Sequence, residues 1–168
     1  MEIQNFNRRC ASAIIHISMA TVTKIHHLGE MYILSYNPEN QKTMRYWDAQ
    51  PCVFVMEKRR DGFLGINLHY YPINMRKSLF NALMKISKKI AGIQRLDPKI
   101  INESTYRLCK PCIKKYKYSR IKDMRFIGDK EWYSTAMESK NPEIRPLFMK
   151  KNEKIVWTES KQRFLKEI

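Results

Sequence analysis

Residues 52–68, CVFVMEKRRDGFLGINL, decide the fold of this chain. Two apolar runs of β-prone residues, 52–56 and 63–68, flank a charged link that ends in the turn-forming pair Asp61-Gly62. Two such runs around an Asp-Gly pair are the strongest short-range signal for a β-hairpin. The sequence therefore predicts an antiparallel pair of strands near the centre of the chain.

A further strand is predicted upstream of this hairpin. Residues 31–36, MYILSY, are rich in aromatic and β-branched side chains, and the turn-forming stretch 37–40, NPEN, follows them. Residues 44–47 are expected to return as a second short strand. Together these elements predict an α+β protein with a small antiparallel β-barrel or hairpin core, of the SH3-like kind, followed by helices.

A helix is predicted directly after the hairpin. Pro72 suits the first turn of a helix, because its φ is fixed and its missing N–H needs no partner there. Apolar residues then recur at helical spacing, and Gly92 is expected to cap the C-terminus. The apolar stripe consists of Leu79, Phe80, Leu83, Met84, Ile86 and Ile90. The opposite face carries Arg76, Lys77, Lys85, Lys88 and Lys89.

The second half of the chain has weaker patterns. Residues 106–127 are expected to be helical or strand-forming. Asp129 marks the start of a short helix in which Trp132 turns inward. Residues 138–154, which contain two prolines, predict an irregular loop, and Thr158 is expected to cap a final helix.

The length and the patterns define three regions. A chain of 168 residues with 43% hydrophobic residues supports one sizeable core. Residues 1–28 are expected to form an N-terminal arm or helix, and residues 29–137 the β-core with the basic helical segment. Residues 138–168 are expected to contribute the loop and the C-terminal helix.

Positive charge is concentrated in the middle of the chain. The formal net charge is +16, from 32 Lys and Arg against 16 Asp and Glu. Residues 71–128 contain 15 basic and 3 acidic residues, a net charge of +12, whereas residues 1–70 and 129–168 each have a net charge of +2. Self-repulsion of this size favours a polyanionic partner, and we expect that partner to be nucleic acid.

The most basic stretch also carries Tyr106, Tyr116 and Tyr118 between its cations. Basic side chains reach phosphates and tyrosines stack on exposed bases, a combination suited to DNA ends, single strands and duplex. No helix-turn-helix, homeodomain or zinc-finger pattern occurs, so we expect binding without sequence specificity. The predicted phosphate contacts are Arg76, Lys77, Lys85, Lys88, Lys89, Arg107, Lys110, Lys114, Lys115, Lys117, Arg120 and Lys122.

No catalytic motif is visible. The sequence lacks a Walker-type phosphate loop, an HExxH motif and a GxSxG motif, so we expect neither an enzyme nor a cofactor. Cys109 and Cys112 have the spacing of half a zinc site, but no second such pair exists. The other ligands would have to come from Cys52 and one of His16, His26, His27 and His69. We therefore expect structural thiols, with a metal-assisted enzyme acting on nucleic acid as the weaker alternative.

No membrane segment is expected. The apolar run 11–22 is interrupted by His16 and Ser18, and it is too short to span a bilayer. We expect a soluble protein that contacts no membrane. The four cysteines do not resemble the disulfide framework of a small secreted domain, and they indicate a reducing intracellular origin.

Several motifs resemble one family of phage proteins. They are YILSYNP at 32–38, YWDAQP at 46–51, DGFLGINLHYYP at 61–72, Arg76, KPCIKKY at 110–116 and VWTES at 156–160. This pattern is similar to a structural protein family of T4-type tailed phages, the DNA end protectors. The matches cover most of residues 31–160. In this motif His69 is expected to be a hydrogen-bonded core or rim histidine, and the resemblance implies no catalytic residue.

The resemblance implies a virion protein that binds the termini of packaged DNA and shields them from exonuclease. The expected location is the virion, and the host cytoplasm during assembly. The alternative is a neck or baseplate connector, without a direct role on DNA, whose basic surface contacts acidic portal or tail proteins. DNA ends or backbone are the expected partner in the first case, and other phage structural proteins in the second.

Overall fold

A computed structural model of the chain describes residues 20–167. The predicted arm over residues 1–28 lies mostly outside this range. The strands are β1 (Ala20–Thr21), β2 (Met31–Tyr36), β3 (Trp47–Asp48), β4 (Cys52–Arg59), β5 (Gly62–Asn67), β6 (Ser87–Ile90), β7 (Ile93–Leu96), β8 (Ile113–Lys117), β9 (Ile121–Ile127) and β10 (Phe148–Met149). The α-helices are α1 (Ile73–Lys85), α2 (Glu103–Cys109), α3 (Trp132–Ala136) and α4 (Glu153–Lys166). Short 3-10 turns span Leu68–Tyr70, Pro98–Ile100, Lys110–Cys112, Tyr118–Arg120 and Asp129–Glu131.

The main sheet is antiparallel throughout, with strand order β1-β9-β2-β4-β5-β8. The predicted hairpin is confirmed as β4 and β5, and the predicted strand 31–36 is confirmed as β2. The hairpin turn itself lies at Arg60 and Asp61, and Gly62 already pairs with Arg59. Gly62 is needed because a Cβ at this position would lie 1.8 Å from the carbonyl oxygen of Tyr116 on β8.

Both faces of the sheet are buried. Along β2 the side chains alternate, as the period of a strand requires. Met31 and Ile33 pack in the larger cluster with α1 and α3, and Tyr32 and Leu34 pack in a second cluster on the other face. Because apolar clusters cover both faces, the first four residues of β2 are all buried.

The sheet is curled and open. Only residues 118–120 connect β8, at one edge, to β9, although β5, β4 and β2 lie between these two strands in the sheet. So short a connection brings the two strand ends close together. No pairing between β8 and β9 closes the sheet within residues 20–167. The α+β class is therefore confirmed, whereas closure into an SH3-like barrel stays a prediction.

The predicted helix after Pro72 ends earlier than expected. It stops at Lys85, and β6 and β7 then form a hairpin whose turn is made by Ala91 and Gly92, at φ 51° and 79°. Two successive positive φ values suit a two-residue hairpin turn. The predicted helical position of Ile90 and the predicted capping role of Gly92 are therefore wrong. Lys88 and Lys89, expected on the helix, lie on β6.

The C-terminal segment packs on the same core as the sheet. Ile144 and Val156 belong to the larger cluster, and β10 pairs with β3. The final helix begins at Glu153, because Asn152 accepts a hydrogen bond from the backbone N–H of Ile155 and caps it. The predicted capping role of Thr158 is wrong, since this residue lies within α4. Residues 20–167 contain no helix long and apolar enough to cross a membrane.

Three further expectations are also resolved. The strand expected at residues 44–47 is reduced to Trp47 and Asp48. Trp132 turns inward as predicted, and its indole N–H donates to the carbonyl oxygen of Ile127 at 3.1 Å. Residues 106–127, for which the sequence left helix and strand open, contain the end of α2, then β8 and β9.

Candidate nucleic-acid interface

The lysines of β8 lie at an edge of the main sheet. We call Lys114, Lys115, Lys117 and Arg120 the strand-edge cluster. The ammonium of Lys117 lies 2.7 Å from the carboxylate of Glu39, and the guanidinium of Arg120 lies 3.4 Å from the same group. The hydrogen bond from Lys117 lowers the pKa of Glu39. Exposed ion pairs of this kind contribute little to stability, so a DNA phosphate can replace the carboxylate.

Lys114 differs from its neighbours because its ammonium is turned inward. It donates to the carbonyl oxygen of Pro111 at 2.9 Å and lies 4.1 Å from the centroid of the Tyr70 ring. Burial lowers the pKa of Lys114 to about 8. No carboxylate in the described part of the chain lies within 4.0 Å of this ammonium. The lysine thus has a cation–π contact but no counter-ion.

A cavity of about 380 Å³ opens beside the strand-edge cluster. Its aromatic lining is supplied by Tyr36, Trp47, Tyr70 and Tyr116. The rings of Tyr36 and Tyr116 meet edge to face, with centroids 5.0 Å apart. The cavity therefore combines aromatic walls with three lysines of one strand, Lys114, Lys115 and Lys117.

A second group of cations lies where α4 packs against the 110–112 turn. Lys110 pairs with Glu167 at 2.8 Å, and a shallow cavity there is also lined by Arg163 and Lys166. Sequence reasoning assigned Lys110 to DNA but missed Arg163 and Lys166. They belong to the last turns of α4, and only the tertiary packing of this helix places them beside Lys110.

The remaining predicted contacts are distributed over other elements. Lys77 and Lys85 are exposed on α1, and Lys122 is exposed on β9. Lys88 and Lys89 are exposed on β6, where Lys88 pairs with Asp97. Arg107 on α2 pairs with Glu103 at 2.6 Å. The structure therefore leaves these residues available at the surface but does not join them to the strand-edge cluster.

Arg76 is not part of any surface. Its side chain is completely buried, and its guanidinium donates to the carbonyl oxygens of Tyr71, at 3.0 Å, and Ala136, at 2.9 Å. These bonds connect α1 to the segment before it and to the last residue of α3. A phosphate cannot reach a guanidinium in this position, so the prediction of Arg76 as a phosphate contact is wrong.

His69 is buried, as predicted, and belongs to a polar network. Burial lowers the pKa of His69, and the neutral ring donates from Nδ1 to the Asp48 carboxylate at 2.8 Å. Burial opposes the ionisation of Asp48, but His69, Asn67 and the backbone N–H of Gln50 hold its pKa below the ordinary value. The same carboxylate accepts a hydrogen bond from the backbone N–H of Leu147 and so fixes the C-terminal segment.

The cysteines among residues 20–167, which are Cys52, Cys109 and Cys112, are buried and unpaired. Burial raises the pKa of the Cys52 and Cys109 thiols to about 12, and that of Cys112 also rises. Thiols in this state are protonated at neutral pH and are poor metal ligands. Among residues 20–167 no group of three or more His, Cys, Asp or Glu side chains is arranged to hold a metal ion. His26 and His27 are exposed, and His16 lies outside this range.

The comparisons with known proteins give one match. Residues 9–141, well over half of the chain, match the family model described as the phage T4 terminal DNA protecting protein. No curated protein and no solved structure matches the chain. The matched region includes the main sheet, the cavity and the strand-edge cluster.

Proposed function

The chain belongs to the family of the phage T4 terminal DNA protecting protein, and from this premise we propose that it binds the ends of linear DNA and shields them from nucleases. The proposed role is that of a binding protein and not of an enzyme. The location that goes with it is the virion, and the host cytoplasm during assembly. Contacts with other virion proteins belong to the proposal as well.

The observation that carries the proposal is the strand-edge cluster beside its aromatic cavity. Lys115 and Lys117 are partly exposed, and their acidic partners Asp61 and Glu39 are surface groups that phosphate can displace. A row of cations along an extended strand provides phosphate contacts, and nearby aromatic rings provide stacking surfaces. This combination supports contact with the backbone and with bases at an end.

Two features support binding without sequence specificity. The candidate contacts are mainly lysines, which bind phosphate as point charges and do not read base edges bidentately. None of the described helices presents a recognition pattern for the major groove.

The strand order, with a 3-10 turn at 118–120 before β9, fits the SH3-like core that we include in the proposal. No contact among the described residues favours the connector hypothesis.

A salt titration of DNA binding tests the proposal. The variant Lys115→Gln/Lys117→Gln/Arg120→Gln removes three charges from the strand-edge cluster. A matched control, Lys24→Gln/Lys130→Gln/Lys140→Gln, removes three charges from exposed lysines elsewhere. Binding to two blunt duplexes of unrelated sequence is measured by fluorescence anisotropy over a range of salt concentrations.

The cluster variant is expected to bind both duplexes more weakly. Loss of three phosphate contacts lowers the slope of log K against log salt by about 2.7, at roughly 0.9 for each phosphate. The control is expected to keep a slope close to that of the unaltered protein. Equal losses in the two variants would show that binding depends on total charge and not on this strand edge.

A further inference from the structure

The aromatic cavity has the size of a small-ligand site. Its volume of about 380 Å³ lies at the lower end of the range that such pockets occupy. Tyr36 at its edge is partly exposed, whereas Trp47 and Tyr70 are buried. A half-open cavity with aromatic walls offers a planar group contacts on its face and edge.

Lys114 supplies an uncompensated charge to the same cavity. Its ammonium is held by one carbonyl oxygen and one ring face, and burial holds its pKa at about 8. The two carboxylates that also line the cavity are already engaged. Glu39 binds Lys117 and Arg120, and Asp48 binds His69 and Asn67. An anion in the cavity therefore meets a cation that lacks a counter-ion.

We propose that this cavity binds the terminal nucleotide of a DNA strand, with the base against the aromatic rings and the terminal phosphate at Lys114. The inference rests on the proposed function and specifies how an end is told apart from internal duplex. An internal nucleotide continues into the chain on both sides, whereas a terminal nucleotide is tethered on one side only and can turn its base and its phosphate into the cavity. A terminal phosphate carries a charge of about −1.5 to −2 at neutral pH, more than an internal phosphodiester.

The last base pair must be broken before its base can enter the cavity, and breaking it costs free energy. Removing a base from the stack costs a few kcal/mol in a duplex and less where pairing is already weak. Stacking on aromatic side chains offsets such a cost and tolerates any base, since every base has a π-face. The cavity thus recognises an end without recognising its sequence.

The chemistry of the end provides the first test. Duplexes of one sequence are prepared with 5′-phosphate, 3′-phosphate or hydroxyl groups only at their termini. The unaltered protein is expected to bind at least one phosphorylated form about tenfold more tightly than the hydroxyl form, as loss of a charged hydrogen bond predicts. The form preferred identifies which strand end enters. Equal affinity for all three duplexes overturns the inference.

Lys114→Gln is the matching variant, and Lys130→Gln is its control, because Lys130 is exposed in the 3-10 turn Asp129–Glu131 and does not line the cavity. The preference for phosphorylated ends is expected to disappear in the first variant and to persist in the second. Thermal melting checks that both variants are folded. Retention of the full preference by folded Lys114→Gln overturns the assignment of the phosphate to this lysine.

Photocrosslinking of the unaltered protein gives a test that needs no variant. 5-Iododeoxyuridine is placed either at the terminal position or three nucleotides inside the duplex, and crosslinked peptides are identified by mass spectrometry. The terminal probe is expected to crosslink to peptides that contain Tyr36, Trp47 or Tyr70, and the internal probe is not. Crosslinks of the terminal probe only to other peptides overturn the inference. If the unaltered protein binds none of the duplexes, the proposed function itself is refuted.

Discussion

Replacement of Arg76 by Met separates a structural role of this arginine from a role in DNA binding. The substitution keeps an unbranched stem but removes the guanidinium and every hydrogen bond that it donates. The carbonyl oxygens of Tyr71 and Ala136 then lose these donors in the interior. An unsatisfied buried polar group costs about 1–3 kcal/mol, so two of them cost roughly 2–6 kcal/mol. This is a large part of the stability of a typical domain.

The assay is urea unfolding followed by tryptophan fluorescence, with Lys77→Met as the control. Lys77 is the exposed neighbour of Arg76 on the same helix, and its replacement is expected to change the free energy of unfolding by less than about 0.5 kcal/mol. Arg76→Met is expected to lower the free energy of unfolding by roughly 2–6 kcal/mol. Wild-type stability together with weakened DNA binding would refute the reasoning and restore Arg76 as a contact.

Two further predictions concern the core. The pKa of buried His69 is lowered from 6.5, so its contribution to stability is complete above pH 6.5 and is lost as the pH falls towards the folded-state value. The free energy of unfolding should therefore decrease between pH 7 and pH 5. This pH dependence should be weaker in His69→Gln and unchanged in the exposed control His26→Gln. An unchanged pH dependence in His69→Gln would contradict the assignment to His69. Gly62→Ala should destabilise the fold by roughly 2–4 kcal/mol, because the new Cβ meets the Tyr116 carbonyl oxygen. Gly128→Ala is the control, because its Cβ meets nothing within 4 Å, and it should unfold at nearly the wild-type urea concentration. Equal stability of the two glycine variants would contradict the close approach of β5 and β8.

Local patterns predicted the strands better than the helices. The runs at 31–36 and 52–68 have apolar side chains at the strand period beside clear turn residues, and both became strands of the main sheet. The stripe that continued to Ile90 at helical spacing was misleading. It crosses the point where Ile86 is buried and the chain leaves α1, and Ala91-Gly92 then turns a separate hairpin.

The candidate site could be predicted only in part, because some of its contacts join residues that are far apart in the sequence. The basic character of β8 was visible, but the inward position of Lys114 depends on the ring of Tyr70, which only the fold brings to it, as well as on the nearby carbonyl oxygen of Pro111. Arg76 was assigned to the helix surface because of its charge, although Leu79 and Phe80, three and four residues further on, place it beside the apolar stripe. Its burial follows from the packing of α3, whose last carbonyl it binds.

Protection of DNA ends from an exonuclease tests the central claim most directly. A linear duplex is incubated with increasing protein and then with a processive exonuclease, and a closed circle of the same sequence is treated with an endonuclease as the control. The account predicts that the linear duplex is protected once the protein matches the number of ends, while the circle is cleaved at its normal rate. Equal protection of both substrates, or no protection of the linear duplex, would contradict it.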